Sequence, residues 1–592
     1  MIKDLLKNLV IKTLKSQKNW PSFDVYEITI EKPANQQFGD YATNIAFRLA
    51  KQLGKPPQEI AQFLADEISK IKPAEIVKVE ANDGYVNFFL SSELLRQSLA
   101  DIYKTRGSFG KLNIGRKQKI IVEYSQPNIA KQMHIGHLRT TVLGDALANI
   151  YEMLGYKVIR WNYLGDWGTQ FGKLITAYKL WSVQLRGSAS KYLEAEPLSN
   201  KKQLTIRVLT ELYVKFHKEL KEHPELERQG QEEFAKLEAS DKENHKLWEW
   251  FRKLSIKEFE NIYKTLGVNF DIWLGESNFE KDLKPLVNDL RKREIAEIGE
   301  EGAIIIKLDR FNLPPALIQK ADGASLYLTR DIATLKYRLA KYKPAKLLYV
   351  VGNEQSLHFE QLFMIAKVLD LNTSQLLHIK FGLVLGEDKK KMSTREGEAI
   401  PLEEVVEKAI SLARDIVEKK SPNIAEKEKY HIAQTVALGA LKYEMLKEHR
   451  NSDIVFSWDK MLDFSGNSAP YLQYTYARLS SILQKAGWTW RLSLQGRLNL
   501  SKLGEKTELA IMKHLLDFPE VITDSARTNL TNNLALYVYE LANLSNQFYE
   551  TSPILKDDNT SRRNARLVLI QTTASVLKSG LNLLGIEVLN KI

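Results

Sequence analysis

The stretch from Lys119 to Ile150 constrains this chain most. It opens Lys119-Ile120-Ile121-Val122-Glu123-Tyr124-Ser125, an apolar run of strand length. A turn at Gln126-Pro127-Asn128 leads to His134-Ile135-Gly136-His137 and an amphipathic helix with Leu138, Val142, Ala146 and Ile150 on one face. Two histidines three residues apart at a helix start share a face, and Gly136 removes a side chain between them. A nucleotide can lie on such a unit, with its phosphates near two imidazoles and the helix N-terminus. Taken alone, the pair reads as readily as loop histidines without a ligand.

The surrounding pattern extends the strand–turn–helix unit. Tyr156–Trp161 predicts a second strand, ending in the Gly-rich turn Leu164-Gly165-Asp166-Trp167-Gly168-Thr169-Gln170-Phe171-Gly172. Open α/β sheets place ligands at such strand ends. Gly302–Lys307, Lys346–Val351 and His378–Leu385 read as further strands. The last runs into the cationic loop Lys389-Lys390-Lys391-Met392-Ser393-Thr394-Arg395. Alternating strands and helices predict a parallel sheet. Residues 186–261, charged and helical, read as an insertion.

Residues 1–112 predict a small α/β domain. Its strands are Tyr26–Ile30, Ile76–Glu80 and Tyr85–Leu90, with hairpin chemistry at Asn82-Asp83-Gly84. Residues 113–400 form the Rossmann-type core. Residues 401–592 read as an all-α bundle, with helices at Leu402–Lys419, Ala425–Glu448, Ala469–Ala486, Lys506–Leu516, Asn529–Tyr549 and Ser561–Leu584.

Composition narrows the partners. A chain of 592 residues can hold several cores, and a net charge of +12 suits a polyanion. The absence of cysteine excludes disulfides and thiolate zinc sites. No apolar run approaches the roughly 20 residues that span a bilayer. The N-terminal pattern is that of a domain helix rather than a targeting peptide, so the reading is a cytoplasmic protein without a membrane partner.

Several motifs now agree in order. Val122-Glu123-Tyr124-Ser125-Gln126-Pro127-Asn128-Ile129-Ala130-Lys131 with His134-Ile135-Gly136-His137 resembles the first signature of arginyl-tRNA synthetases, which are class I aminoacyl-tRNA synthetases. Leu164–Gln170, Tyr327-Leu328-Thr329-Arg330-Asp331, Val351–Gln355 through His358-Phe359, and Lys391-Met392-Ser393-Thr394-Arg395 resemble the family's later blocks. Phe38–Asn44, Tyr471-Leu472-Gln473-Tyr474 through Arg478, and Tyr539–Ala542 are similar to its outer domains. The resemblance covers essentially the whole chain.

It implies an arginine–tRNA ligase that uses ATP and Mg2+, activates L-arginine to its adenylate and transfers it to tRNA(Arg). The implied catalytic residues are His134, His137, Lys391 and Lys131. The last is implied because Thr394 stands where the second signature usually has a lysine; Arg395 is its rival. For ATP the implied contacts are Gly136, His134, His137, Gly352, His358, Lys391, Met392 and Ser393. For arginine they are Glu123, Asn128, Tyr327, Asp331 and Gln355, with Glu123 and Asp331 as the paired acids that a planar guanidinium asks for. An internal salt bridge is the alternative for Glu123. For tRNA the implied contacts are Asn82, Tyr85 and Asn87 at the D-loop, and Tyr471, Tyr474 and Arg478 at the anticodon. No protein ligand for a metal is implied, and the chain is expected to act as a monomer.

Overall fold

A computed structural model describes residues 2–17, 20, 24, 28–33, 35–188, 205–324, 326–371, 375–390, 392, 400–489 and 499–591. The chain condenses into two compact units that do not follow chain order. One gathers residues 1–109, 482–517 and 543–575, and the other gathers 110–481, 518–542 and 576–592.

In the first unit, β1 (Tyr41–Thr43), β2 (Ile76–Asn82) and β3 (Tyr85–Leu90) form an antiparallel sheet in the order β1-β3-β2. Asp83 and Gly84 both take positive φ, the two-residue turn that matches the twist of the strands it joins. The helix Pro57–Ile71 buries Ile60, Leu64 and Ile68, one face at helical spacing, and packs on β2. The strand expected at Tyr26–Ile30 does not form in its described part. Ile28–Ile30 carries no ladder, only Glu31 bridges Ala42, and Tyr26 and Glu27 lie outside the described residues. Part of the C-terminal helical region belongs to this unit. Lys513 pairs with Asp40 at 2.5 Å, and Arg96 donates to Leu503 O at 3.0 Å. The buried Arg566 holds Glu508 at 2.7 Å and Asp557 at 3.2 Å.

The second unit carries β4 (Lys119–Glu123), β5 (Lys157–Asn162), β6 (Ile272–Trp273), β7 (Glu297–Ile298), β8 (Ile304–Ile306), β9 (Ala316–Gln319), β10 (Lys346–Tyr349), β11 (Leu376–His378), β12 (Val384–Leu385) and β13 (Ile454–Val455). The expected parallel sheet is present, in the order β11-β10-β4-β5-β6 with every pairing parallel. β4 is central. Ile120, Ile121 and Val122 are fully buried, as a strand covered on both faces requires. The strand expected at Gly302–Lys307 forms as β8, but it pairs antiparallel with β7 and β9 in a separate small sheet. The strand expected at His378–Leu385 divides into β11 and β12.

The insertion is helical at Ile206–Glu219, Glu225–Glu238 and Lys242–Leu266; residues 189–204 lie outside the described set. The six expected C-terminal helices are observed within a residue or two of their bounds. A further helix, Phe518–Thr528, went unread. It starts at Phe518-Pro519, where proline suits the first turn. Asn529 at φ 54° then breaks the chain before Thr531–Thr551. Among the described residues no helix is long and apolar enough to cross a membrane.

Candidate active site

The C-terminal ends of β4 and β10 and the turn after β5 converge on the site. β4 delivers Glu123 into a turn in which Ser125, Gln126 and Ala130 all take positive φ. Three such non-glycine residues in one turn are strain that the neighbours must hold. Ser255 Oγ accepts Ala130 N–H at 2.9 Å, and Thr140 Oγ1 accepts Ser125 N–H at 3.3 Å. Gly165 lies against Asn128 so closely that a Cβ there would collide with its Oδ1.

The helix Ile135–Met153 starts at a reciprocal cap. Gly136 N–H donates to His134 Nδ1 at 3.1 Å, and His134 N–H donates to His137 Nδ1 at 3.1 Å. An Nδ1 that accepts leaves the proton of a neutral imidazole on Nε2. Desolvation and the neighbouring His134 pull the His137 pKa down to about 3, so His137 is neutral at physiological pH. The two rings stand 4.0 Å apart, and a Cβ on Gly136 would come within 2.9 Å of the His134 ring. The site therefore presents two Nε2–H donors, fixed by backbone, at a helix N-terminus. Lys131 Nζ lies 4.6 Å from the Tyr213 ring centroid, and burial lowers its pKa. Among the described residues no carboxylate ion-pairs with it.

Acidic groups gather on the other side. Glu123 is buried, accepts from Gln126 Nε2 at 2.7 Å, and forms an ion pair with the fully buried Arg338. Arg338 lies over the Trp161 ring, 4.3 Å from its centroid. Desolvation still raises the Glu123 pKa, with Asp331 adding to the effect against Arg338. So the salt bridge foreseen as an alternative for Glu123 exists. Asp331, one turn after Tyr327 on the helix Tyr327–Tyr342, meets His358 Nε2 at 2.6 Å. This bond turns His358, expected beside the nucleotide, toward the acid expected to hold arginine.

One acid was missed. Glu276 follows β6, its N–H donating to Leu164 O at 3.1 Å. It is buried, and among the described residues its Oε2 has no hydrogen-bond partner. Desolvation raises its pKa to about 8; Arg330 opposes this, and Asp331 and Asp166 add to it. The signal was Gly275-Glu276 just past an apolar Ile272-Trp273-Leu274, but β6 is only two residues long.

The other expected residues are placed as follows. Gly352 bridges Phe381, and Gln355 is exposed in the turn Asn353–Gln355. Met392 N–H donates to Val384 O at 3.4 Å, while Lys391, Ser393, Thr394 and Arg395 lie outside the described residues. Asn82 and Tyr85 face each other across the β2–β3 hairpin, and Tyr85 is 44% exposed with its ring 5.1 Å from Phe47. Asn87 is buried in the middle of β3, so the surface of this hairpin is offered by Asn82 and Tyr85. Tyr471, Tyr474 and Arg478 share the helix Ala469–Lys485, with the Arg478 guanidinium 4.9 Å from the Tyr474 ring centroid.

A parallel sheet whose central strand leads into a two-histidine helix start, with an acid cluster beside it, defines a class I tRNA synthetase core. Residues 99–458 match the family described as tRNA synthetases class I (R), catalytic domain. Residues 2–90 match the arginyl tRNA synthetase N terminal domain, and 472–592 the DALR anticodon binding domain. The arginine–tRNA ligase of Streptococcus suis is 42% identical over 571 residues, 96% of each chain. That of Fusobacterium nucleatum is 39% identical over 573 residues, 97% of this chain and 96% of its own. The arginyl-tRNA synthetase structure from Thermus thermophilus superposes with TM-score 0.80 at 25% identity over 100% of both chains. The one from Plasmodium falciparum does so at 0.79 and 26%, over 100% of this chain and 99% of its own. The chain belongs to the arginyl-tRNA synthetase family. It is an arginine–tRNA ligase, charging tRNA with arginine for translation in an ATP-dependent reaction.

Proposed function

We propose that the turn and helix start at Glu123–His137 serve both small substrates. ATP lies along Gly136 and Gly352, and Mg2+ enters on its phosphates. An oxygen of the arginine carboxylate attacks the α-phosphorus and the bond to pyrophosphate breaks. A terminal ribose hydroxyl of tRNA(Arg) then attacks the arginyl carbonyl and loses its proton, and the acyl–phosphate bond breaks to release AMP. His134 and His137 donate from Nε2 to phosphate oxygens as negative charge builds, each contributing about 3 kcal/mol in the way of oxyanion donors. Lys391, with Met392 and Ser393, holds the outer phosphates, and Lys131 supplies the cation missing at Thr394. The support for Lys131 is its partly buried position against Tyr213, where among the described residues no carboxylate ion-pairs with it.

The acid cluster carries the arginine reading. Arginine has two cationic groups. The cluster holds three carboxylates, Glu123 and Glu276 each in the field of Asp331, against the internal Arg338 and an Arg330 that is paired with Glu280. Asp331 and Glu123 receive the guanidinium, with Tyr327 over the side chain. Glu276 stands beside Leu164 and Gly165, and Gly165 packs on Asn128. Glu276 therefore joins Asn128 and Gln355 at the α-ammonium end. His358 orients Asp331. An ATP–pyrophosphate exchange assay over all amino acids, with and without tRNA, tests the assignment. Exchange should require arginine and tRNA(Arg) together, and exchange with another amino acid would sink it.

A pH dependence follows. With the site empty, Glu276 keeps its proton to about pH 8, and a bound ammonium needs the carboxylate. Each unit below that pH adds about 1.4 kcal/mol to the free energy of binding, a tenfold weaker affinity. Arginine affinity should therefore fall from pH 8 to pH 6. Titration calorimetry in buffers of different ionisation enthalpy should show proton release. In Glu276→Gln both the slope and the release should vanish. An equal slope in the variant rejects Glu276 as the ligand.

For tRNA, the exposed Tyr85 with Asn82 takes a D-loop base by stacking, while the buried Asn87 holds the hairpin from inside. Tyr471, Tyr474 and Arg478 meet the anticodon. These roles belong to an N-terminal recognition domain at 1–112, a catalytic domain at 113–400 and an anticodon bundle at 401–592, in a monomeric enzyme of the cytoplasm.

A further inference from the structure

Arg139 follows His137 by two residues, on the helix that the two histidines begin. It is 1% exposed. Its guanidinium donates to four backbone carbonyls: Nη1 to Gly382 O at 2.6 Å and Leu383 O at 2.9 Å, Nη2 to Arg450 O at 3.0 Å and Ser452 O at 2.7 Å. Asp453 and Glu448 act on it only as nearby charges, and burial takes its pKa down to about 10. A cation buried among neutral acceptors costs free energy that an apolar side chain would not. What it provides is geometry, because one planar fork fixes two chain segments at once.

The first of these segments lies between the Gly352 turn and the turn that precedes Lys391, and the second is tied to it. From Gly382-Leu383 the chain enters β12, which pairs with β13 just beyond Ser452. It then turns at Gly386, whose N–H donates to Lys390 O at 2.8 Å, and reaches Lys391. In the other direction Phe381 bridges Gly352, and its ring lies 5.7 Å from the Arg139 guanidinium. The approach of the segments leaves no room at Gly382, where a Cβ would meet Asp453 Oδ1 at 2.6 Å and Ser452 O at 2.7 Å.

We propose that Arg139 is a positioning residue. It fixes the root of the Lys391 loop, and the Gly352 turn beside it, relative to His134 and His137, so that donors from separate parts of the chain meet one triphosphate. The proposal rests on the reading that the Lys391 loop handles the phosphates. Arg139→Lys keeps the charge, but a single nitrogen cannot span both carbonyl pairs. In tRNA-dependent exchange the variant should raise the KM for ATP roughly tenfold and lower kcat about 10²-fold, with the KM for arginine within about twofold of wild type. Gly382→Ala moves the same root without touching the guanidinium and should give the same signature, more weakly. Lys391→Ala is the reference. If it leaves the KM for ATP unchanged, the reading of the loop fails. If Lys391→Ala raises that KM while Gly382→Ala and a folded Arg139→Lys leave ATP handling alone, the positioning role is overturned. A parallel rise of both substrates' KM values, or an unfolded Arg139→Lys beside a Gly382→Ala with wild-type ATP kinetics, overturns it as well by making Arg139 a fold residue only.

Discussion

Replacing Asp331 by asparagine should lower kcat/KM for arginine by about 10²- to 10³-fold in the exchange assay and leave the KM for ATP within about twofold. The substitution changes almost no volume. Asparagine can still meet His358, now at 2.6 Å from the carboxylate, but it turns one acceptor into a donor and removes the charge. A guanidinium then faces an N–H where it had an oxygen, and a charge-assisted pair with two-pronged geometry is lost. The loss of one partner in a desolvated charge pair costs about 2–5 kcal/mol, which sets the fold-change. The substitution also carries an internal check. The charge of Asp331 helps hold the pKa values of Glu123 and Glu276 up, so both should fall in the variant. The pH at which arginine affinity begins to drop should then move below that of wild type. An unchanged arginine kcat/KM in a folded variant would remove Asp331 from the substrate site.

What could be read in the sequence was local. Ile120-Ile121-Val122 announced a strand buried on both faces, and it is the centre of the sheet. His134, Gly136 and His137 announced a helix start, though not the cap that their own backbone and rings make there. The C-terminal helices follow from their apolar spacing. What could not be read depends on distant pieces of chain meeting. Arg338 is one more arginine on an amphipathic helix until the fold brings it beneath Glu123. Glu276 follows a strand too short to show any period. Arg139 looks like one more polar residue of an amphipathic helix, because backbone carbonyls leave no trace in side-chain patterns. Ile304–Ile306 is a strand by composition, yet composition does not say which sheet it joins.

Glu123 has two roles that a single substitution cannot separate, and a double-mutant cycle with Arg338 can. Glu123→Gln leaves a guanidinium buried among Trp161, Tyr163 and Tyr349 without its counter-charge. Arg338→Met leaves the carboxylate buried alone, and its pKa, already raised by desolvation, should climb further. Each single change should destabilise the core by about 3–5 kcal/mol, read as lost hydrogen-exchange protection of the Lys119–Glu123 amides. The double variant, Glu123→Gln with Arg338→Met, removes both charges and keeps the volume. It should recover most of that protection, since a buried ion pair replaced by packed neutral groups is often neutral or stabilising. Activity separates the roles. If Glu123 serves only the fold, the double variant regains arginine kinetics along with stability. If it also receives the guanidinium, as proposed, the stable double variant keeps its KM for ATP and still fails to saturate with arginine. The second outcome is expected, because Glu123 already feels Asp331 as a neighbouring charge and a shared cation would relieve it.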